Sequence, residues 1–278
     1  ISEKDDPGAV VSKAFYKAVF PGHPYGIPVE GEEESVGRIT RDDIVSFYQQ
    51  YYKPNNAIVA VVGDLGYKEA VALIEEYFRQ WGKSRITLPD VPAVTKVAKK
   101  GSILIDRNIT QANIVLGHTG ISRDNPDYYA VSVMNYILGG GGFQSRLIKE
   151  IRDKKGLAYS VYSRFDVNKY PGAFAVEVQT KNESAVIAME GIKAELKKIR
   201  DEKVSDEELK DAKSYITGSF PLKFDTNARI SSFLVQVEFY NLGLDYLNEY
   251  VNKIEGITKD DIMRVAKKYI DTEIYIMV

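Results

Sequence analysis

Two periodicities divide this chain. Ile44, Phe47, Tyr48 and Tyr51 recur at three- and four-residue steps, which places them on one face of a helix. Phe174, Val176 and Val178 alternate with Ala175, Glu177 and Gln179, the two-residue period of a strand. Extended along the chain, these patterns predict strands over 57–62, 102–106, 111–117, 159–165, 172–180 and 274–278. Helices are predicted over 126–138, 143–152, 183–200 and 206–219, within 227–240, and from Thr258 onward. Ser205 followed by Glu208 makes a capping box for the helix at 206, the hydroxyl and the carboxylate each taking one orphan backbone N–H. Paired strands separated by long helices argue an α+β fold, with helices layered on a mostly antiparallel sheet.

An internal repeat sharpens this picture. A shift of 218 positions lays Ile39-Thr40-Arg41-Asp42-Asp43-Ile44 on Ile257-Thr258-Lys259-Asp260-Asp261-Ile262, and Tyr51 on Tyr269. Both copies open a helix with Thr, place acid near the positive end of its dipole, and then run into a strand. A duplicated two-domain fold is the expectation, each domain a mostly antiparallel sheet with helices. The second copy then begins near residue 98, and the first domain is expected to be incomplete. The expected division is 1–88 for the latter part of the first domain, 89–97 for a linker holding Pro89 and Pro92, and 98–278 for the second domain. Val278 falls at the equivalent of Val62, after which Gly63-Asp64 and a further helix follow, so trimming at both ends is expected.

Composition narrows the function classes. Among 278 residues, 44% are hydrophobic and 27% charged, ordinary for a chain with a packed core. Lys plus Arg number 37 against 39 for Asp plus Glu, so no global field draws nucleic acid. The absence of cysteine excludes disulfides and thiolate chemistry without fixing a compartment. No apolar run reaches the length of a membrane span. The first residue is Ile and no signal peptide is visible.

Candidate chemistry is sparse. The only histidines, His23 and His118, lack the close spacing of zinc ligands on one helix and read as turn and strand-end residues. No Gly-x-Ser-x-Gly elbow supports a serine nucleophile. Gly139, Gly140, Gly141 and Gly142 resemble an anion-binding loop, yet Phe143-Gln144-Ser145-Arg146 follows in place of a Gly-Lys-Ser/Thr run. A loop that lets a substrate backbone approach closely suits the glycines better. After it come an amphipathic helix closed by Arg152, a stop at Gly156, and a strand opening near Tyr159, so two oxygen-seeking side chains can converge. The ordinary reading of that pair, an Arg favoured by a helix C-terminus and a Tyr favoured in a strand, stands beside the functional one.

The block from Gly139 to Gly142, with Ser145-Arg146-Leu147, Glu150-Ile151-Arg152 and Gly156-Leu157-Ala158-Tyr159-Ser160, resembles the second-domain signature of the pitrilysin/insulinase family of zinc metallopeptidases, which includes mitochondrial-processing-peptidase-like members. Asp5-Asp6-Pro7, Phe20-Pro21-Gly22-His23-Pro24-Tyr25-Gly26, Pro54-Asn55-Asn56 and Val61-Val62-Gly63-Asp64 resemble the latter part of its first domain. The resemblance implies a zinc metalloendopeptidase whose H-x-x-E-H motif and third Glu ligand lie outside this chain. Zinc is then expected in the intact enzyme and none on this chain, which is expected to be inactive alone. It also implies that Arg152 and Tyr159 hold substrate and transition state, with the Gly139–Phe143 loop beside them. Expected partners are a peptide or unfolded protein and a homodimeric or heterodimeric family member, in a bacterial cytoplasm or periplasm. Two other readings stay open: a non-catalytic partner subunit of a heteromeric peptidase, and an anion- or nucleotide-binding module on the glycine loop.

Overall fold

The computed structural model describes residues 5–278. In chain order the helices are α1 (Pro7–Val19), α2 (Glu33–Arg38), α3 (Arg41–Tyr51), α4 (Tyr67–Phe78), α5 (Tyr128–Asn135), α6 (Ala185–Asp201), α7 (Asp206–Ser219), α8 (Asn227–Phe239), α9 (Tyr246–Glu255) and α10 (Lys259–Tyr269). The strands are β1 (Gly101–Ser102), β2 (Gln111–Thr119), β3 (Ala158–Val167), β4 (Pro171–Lys181) and β5 (Ile276–Met277). Two compact units result. One takes the residues up to Pro28 with Pro92–Thr217 and Glu249–Val278; the other takes Val29–Val91 and Gly218–Asn248.

The first unit is built on one five-stranded sheet of order β1-β5-β2-β4-β3, antiparallel throughout except for β1 beside β5. Alternation along β4 feeds two layers, because both faces are covered. Ala173 and Ala175, with Val115 and Val278, receive Val11, Phe15 and Val19 of α1. Small side chains on this face let the helix lie close. Tyr16 of α1 adds a polar tie: its hydroxyl donates to Asp166 and accepts from Arg164 at 2.9 Å, while Arg164 also pairs with Glu177. Burial and the Asp166 carboxylate push the Tyr16 phenol up to about 12. On the other face Leu116, Phe174, Val176 and Val161 are buried, beneath a layer in which α10 packs on α5 and α6. Segment 7–19 thus packs on the five-stranded sheet and falls in the same compact unit. Its apolar face finds its partner there.

The second unit, among the described residues, is helical. Phe233 of α8 meets Phe224 edge-on at 4.7 Å, and Trp81 Nε1 donates to the Tyr52 carbonyl at 3.0 Å. Residues 57–62, expected as a strand, join no ladder. A lone strand leaves its backbone groups to water and is not stable as one. The apolar face of α3 forms as predicted, but Ile44, Phe47 and Tyr48 stand exposed.

Other expectations shift locally. The strands at 102–106 and 274–278 shorten to two residues each, the stretch over which β1 and β5 pair. The helices at 126–138 and 143–152 break into α5, a π-turn at Tyr136–Gly140, a 3₁₀ turn at Gly142–Gln144 and a π-helix at Ile148–Lys154. Helix α9 was not anticipated, although Tyr246, Tyr250 and Ile254 bury one face at four-residue steps.

Candidate functional site

The glycine run is less open than its composition suggests. The π-turn that follows α5 closes with Gly141 N–H donating to the Tyr136 carbonyl at 2.9 Å. Gly139 is buried there, and a Cβ on it would stand 2.5 Å from both Ser163 N and Ser163 Oγ and 2.8 Å from Leu147 Cδ1. Asn135 and Ser163 lock the crossing: Ser163 Oγ donates to Asn135 Oδ1 at 2.8 Å and Asn135 Nδ2 donates to the Ser163 carbonyl at 3.2 Å. Gly139 is therefore a point of close packing on β3, where the sequence suggested a flexible loop. The exposed part of the run is Gly140, Gly142 and Phe143, the last 71% exposed.

The next segment turns Arg152 back toward that exposed part. Leu147, Ile148 and Ile151 are buried and fix the π-helix. Arg152, half-buried, holds its guanidinium carbon 5.1 Å from the centre of the Phe143 ring, a cation–π distance. Its carbonyl accepts from the Lys155 and Gly156 amides. Gly156, at φ 63°, takes the left-handed conformation that ends the helix. π-helical insertions inside helices recur at functional sites because they re-aim side chains.

Tyr159 owes its placement to the ladder. Ala158 pairs with Thr180 and Ser160 with Gln179, so β3 advances two residues where β4 advances one. Tyr159 is the extra residue of a β-bulge, on the edge strand of the sheet, and is 78% exposed. Strand β3 packs directly against the π-helix that carries Arg152. The structure thus joins Arg152 to Phe143, and sets Tyr159 outward on the strand beside them.

A part-buried ion pair, missed in the sequence, braces this segment. Arg146 donates through Nε and Nη2 to the two Glu208 oxygens at 2.6 and 2.9 Å. Glu208 also accepts from the Ser205 amide at 2.8 Å, so one carboxylate serves the expected capping box and the ion pair together. Burial works to raise the Glu208 carboxyl, but the Arg146 guanidinium and Ser205 outweigh it and hold it at about 2. Burial raises the neighbouring Glu195 carboxyl above its usual range. The only advance signal was the S-R-L motif itself; nothing in spacing linked positions 146 and 208.

The histidines are structural. His118 accepts from the Asp271 amide at Nε2 and faces the Thr119 carbonyl through Nδ1, while burial lowers its pKa. His23 accepts from the Tyr25 amide at Nδ1 and sits among Phe20, Tyr25 and Tyr170. Among the described residues no group of three or more His, Cys, Asp or Glu is arranged to hold a metal ion, so these residues do not fit a zinc centre. Nor is any described helix long and apolar enough to cross a membrane.

A half-buried guanidinium over an exposed aromatic ring, and an outward phenol on the strand that packs against the same π-helix, offer hydrogen-bond donors suited to an oxygen-rich extended chain. Comparison with known proteins identifies the family. A sequence profile described as the peptidase M16 inactive domain matches residues 38–216. An uncharacterized zinc protease of Mycobacterium tuberculosis H37Rv is 31% identical over 270 residues, covering 95% of this chain and 60% of that protein. One from Streptomyces coelicolor is 29% identical over 269 residues, covering 95% and 58%. The chain thus spans about 60% of the length of these curated relatives. Among solved structures, a peptidase M16 inactive domain from Pseudomonas fluorescens superposes with a TM-score of 0.90 at 30% identity, over 100% of this chain and 66% of that one. A protease from Helicobacter pylori shares the fold at a TM-score of 0.89 and 23% identity. With the profile covering most of its length, the chain belongs to the peptidase M16 family, and it carries that family's inactive domain.

Proposed function

We propose that this chain is the substrate-gripping part of a zinc-dependent metalloendopeptidase that hydrolyses peptides or unfolded polypeptides. The metal and its ligands belong, in this reading, to the part of the longer protein that relatives have and these 278 residues lack. Tyr159 presents its hydroxyl to a peptide oxygen, and Arg152, steadied over Phe143, orients a substrate carbonyl. The observation that supports the reading is the β-bulge, which turns a large tyrosine outward on an edge strand.

The test uses the full-length protein. Arg152→Ala and Tyr159→Phe are each expected to lower kcat/KM for a fluorogenic peptide by about 10²-fold, the scale of losing one oxyanion-type donor, with zinc content unchanged. Turnover equal to the parent in both variants removes the assigned roles.

A second reading is a non-catalytic subunit that lends the same residues to a zinc-bearing partner. It is supported by the matching profile, which is described as the peptidase M16 inactive domain. A full-length protein purified without stoichiometric zinc, yet stimulating a family partner, would select it. An anion module on the glycine loop is disfavoured, because the Gly141, Gln144 and Ser145 amides all donate to carbonyls of the chain itself.

A further inference from the structure

Helix α6 lies against the segment that carries Arg152. A Cβ on Gly191 would stand 2.6 Å from Ile151 Cδ1, so the missing side chain lets Ile151 pack directly on the α6 backbone. Glu195 follows Gly191 by four positions and shares its face of the helix. It is 7% exposed, and its Oε2 has no hydrogen-bond partner among the described residues. A buried oxygen in that state is costly, because it has left water without gaining a donor.

The donor it lacks stands in the same cluster. Arg146 gives Nε and Nη2 to Glu208 of α7, and its buried Nη1 is also without a partner among the described residues. A guanidinium is a planar fork, and Nη1 lies off the edge that holds a carboxylate through Nε and Nη2. Arg146 can therefore serve Glu208 and a second carboxylate at once. A pull on Arg146 is felt at the candidate site. Its neighbour Ser145 is buried and donates through Oγ to the Gly142 carbonyl at 2.7 Å, next to the Phe143 on which Arg152 rests. On its other side Leu147, Ile148 and Ile151 anchor the π-helix.

Most other charges around Glu195 are engaged. Lys154 of the π-helix is paired with Glu150, and Arg264 and Lys268 of α10, which packs on α6, are taken by Asp127. Lys155 reaches toward Gly191, and Lys198 stands exposed on α6 itself. Burial raises the Glu195 carboxyl and Glu150 adds to this, while Lys198, Arg146 and Lys154 pull it down.

We infer that Glu195 is a positioning residue: its carboxylate is a second seat for Arg146, taking Nη1 while Glu208 keeps Nε and Nη2, so that the Arg152 segment is clamped between α6 and α7. The inference rests on the gripping role proposed for Arg152. Ionised Glu195 makes a charge-assisted bond to Nη1, whereas the protonated acid offers only a weaker neutral acceptor. The clamp therefore closes as pH rises through the Glu195 value and opens as pH falls through it.

The test follows KM of the full-length protein for a fluorogenic peptide without titratable side chains, from about pH 8 down to about pH 5. In the parent, KM is expected to rise about fivefold over this range, the low end of coupling between linked sites. Glu195→Gln keeps the shape without the charge, and is expected to show the high KM at every pH with zinc content unchanged. Arg146→Lys, whose single ammonium cannot replace the fork, is expected to lose the step as well. A flat KM in the parent, or a step retained by Glu195→Gln, overturns the inference. Arg152→Ala separates this from the reading beneath it. Turnover at the parent's level in that variant removes the gripping role and the clamp's purpose with it. Lost turnover there, beside an unchanged step in Glu195→Gln, strikes the clamp alone.

Discussion

At the scale of single residues, Glu208 links the candidate site to stability. Its carboxyl is held at about 2 in the fold, against an ordinary value of about 4.3 in an unfolded chain. A depressed folded pKa contributes stability that is fully present above the unfolded value and is lost as pH falls through the folded one. Urea midpoints are therefore expected to drop as pH falls from about 4.3 toward 2, and Glu208→Gln is expected to flatten part of that slope. A variant with the parent's full slope would show that the pair with Arg146 is not its source. Gly139 offers a second test. Ala at 139 would drive a methyl into Ser163 and Leu147, so Gly139→Ala is expected to cost about 1–3 kcal/mol in urea unfolding, as overpacking does. A neutral result would restore the flexible-loop reading. Both residues show where the sequence stopped being legible. The capping role of Glu208 was readable because Ser205 lies three positions away; its second partner lies 62 positions away, beyond any local pattern. The glycine run announced backbone freedom, but a glycine used for close approach looks the same in sequence as one used for bending.

Among elements, the repeat survives as geometry. Thr40 and Thr258 cap α3 and α10 with matching dihedrals, φ −97° and ψ 166° against φ −105° and ψ 166°. In each case the Thr hydroxyl accepts from the third residue's amide, and that residue's carboxylate accepts from the Thr amide. Local chemistry was thus fully legible. Packing was not: Ile262 is buried while Ile44, its equivalent 218 positions earlier, is exposed. Ile262→Ala is accordingly expected to destabilise by about 2–5 kcal/mol, as a buried truncation does, and Ile44→Ala to stay within about 0.5 kcal/mol, as surface changes do. Urea unfolding of both variants checks this, and equal losses would show that α3 is packed as α10 is. Helix α10 is also tied to α5 by Asp127, which accepts from Arg264 at 2.7 Å, Lys268 at 2.8 Å and Tyr269 at 2.7 Å. The acid stands at the N-cap position of α5 without a side-chain capping bond, and its partners emerge only when the two helices meet. The bulge at Tyr159 is hidden for a similar reason: a strand's period is visible in one chain, while a register shift is a property of two.

For the whole molecule, the central matter is how much of a peptidase these residues amount to. The motifs around 139–160 reach the family unaided, because glycine, arginine and tyrosine at those spacings are jointly specific. Metal chemistry does not follow from membership, since both histidines are engaged inside the fold and no three-ligand group exists among the described residues. The 278-residue chain, dialysed against zinc and then against buffer, is therefore expected to retain well below one zinc per chain by elemental analysis. It is also expected to leave a fluorogenic peptide uncut, while weak binding of that peptide, read by fluorescence anisotropy, falls on Arg152→Ala. Stoichiometric zinc would mean that the histidines leave their present partners, and the Asp271 amide bound to His118 would then exchange faster. Binding that ignores Arg152 would instead separate membership of the family from the gripping role, leaving the π-helix and the bulge as scaffold alone.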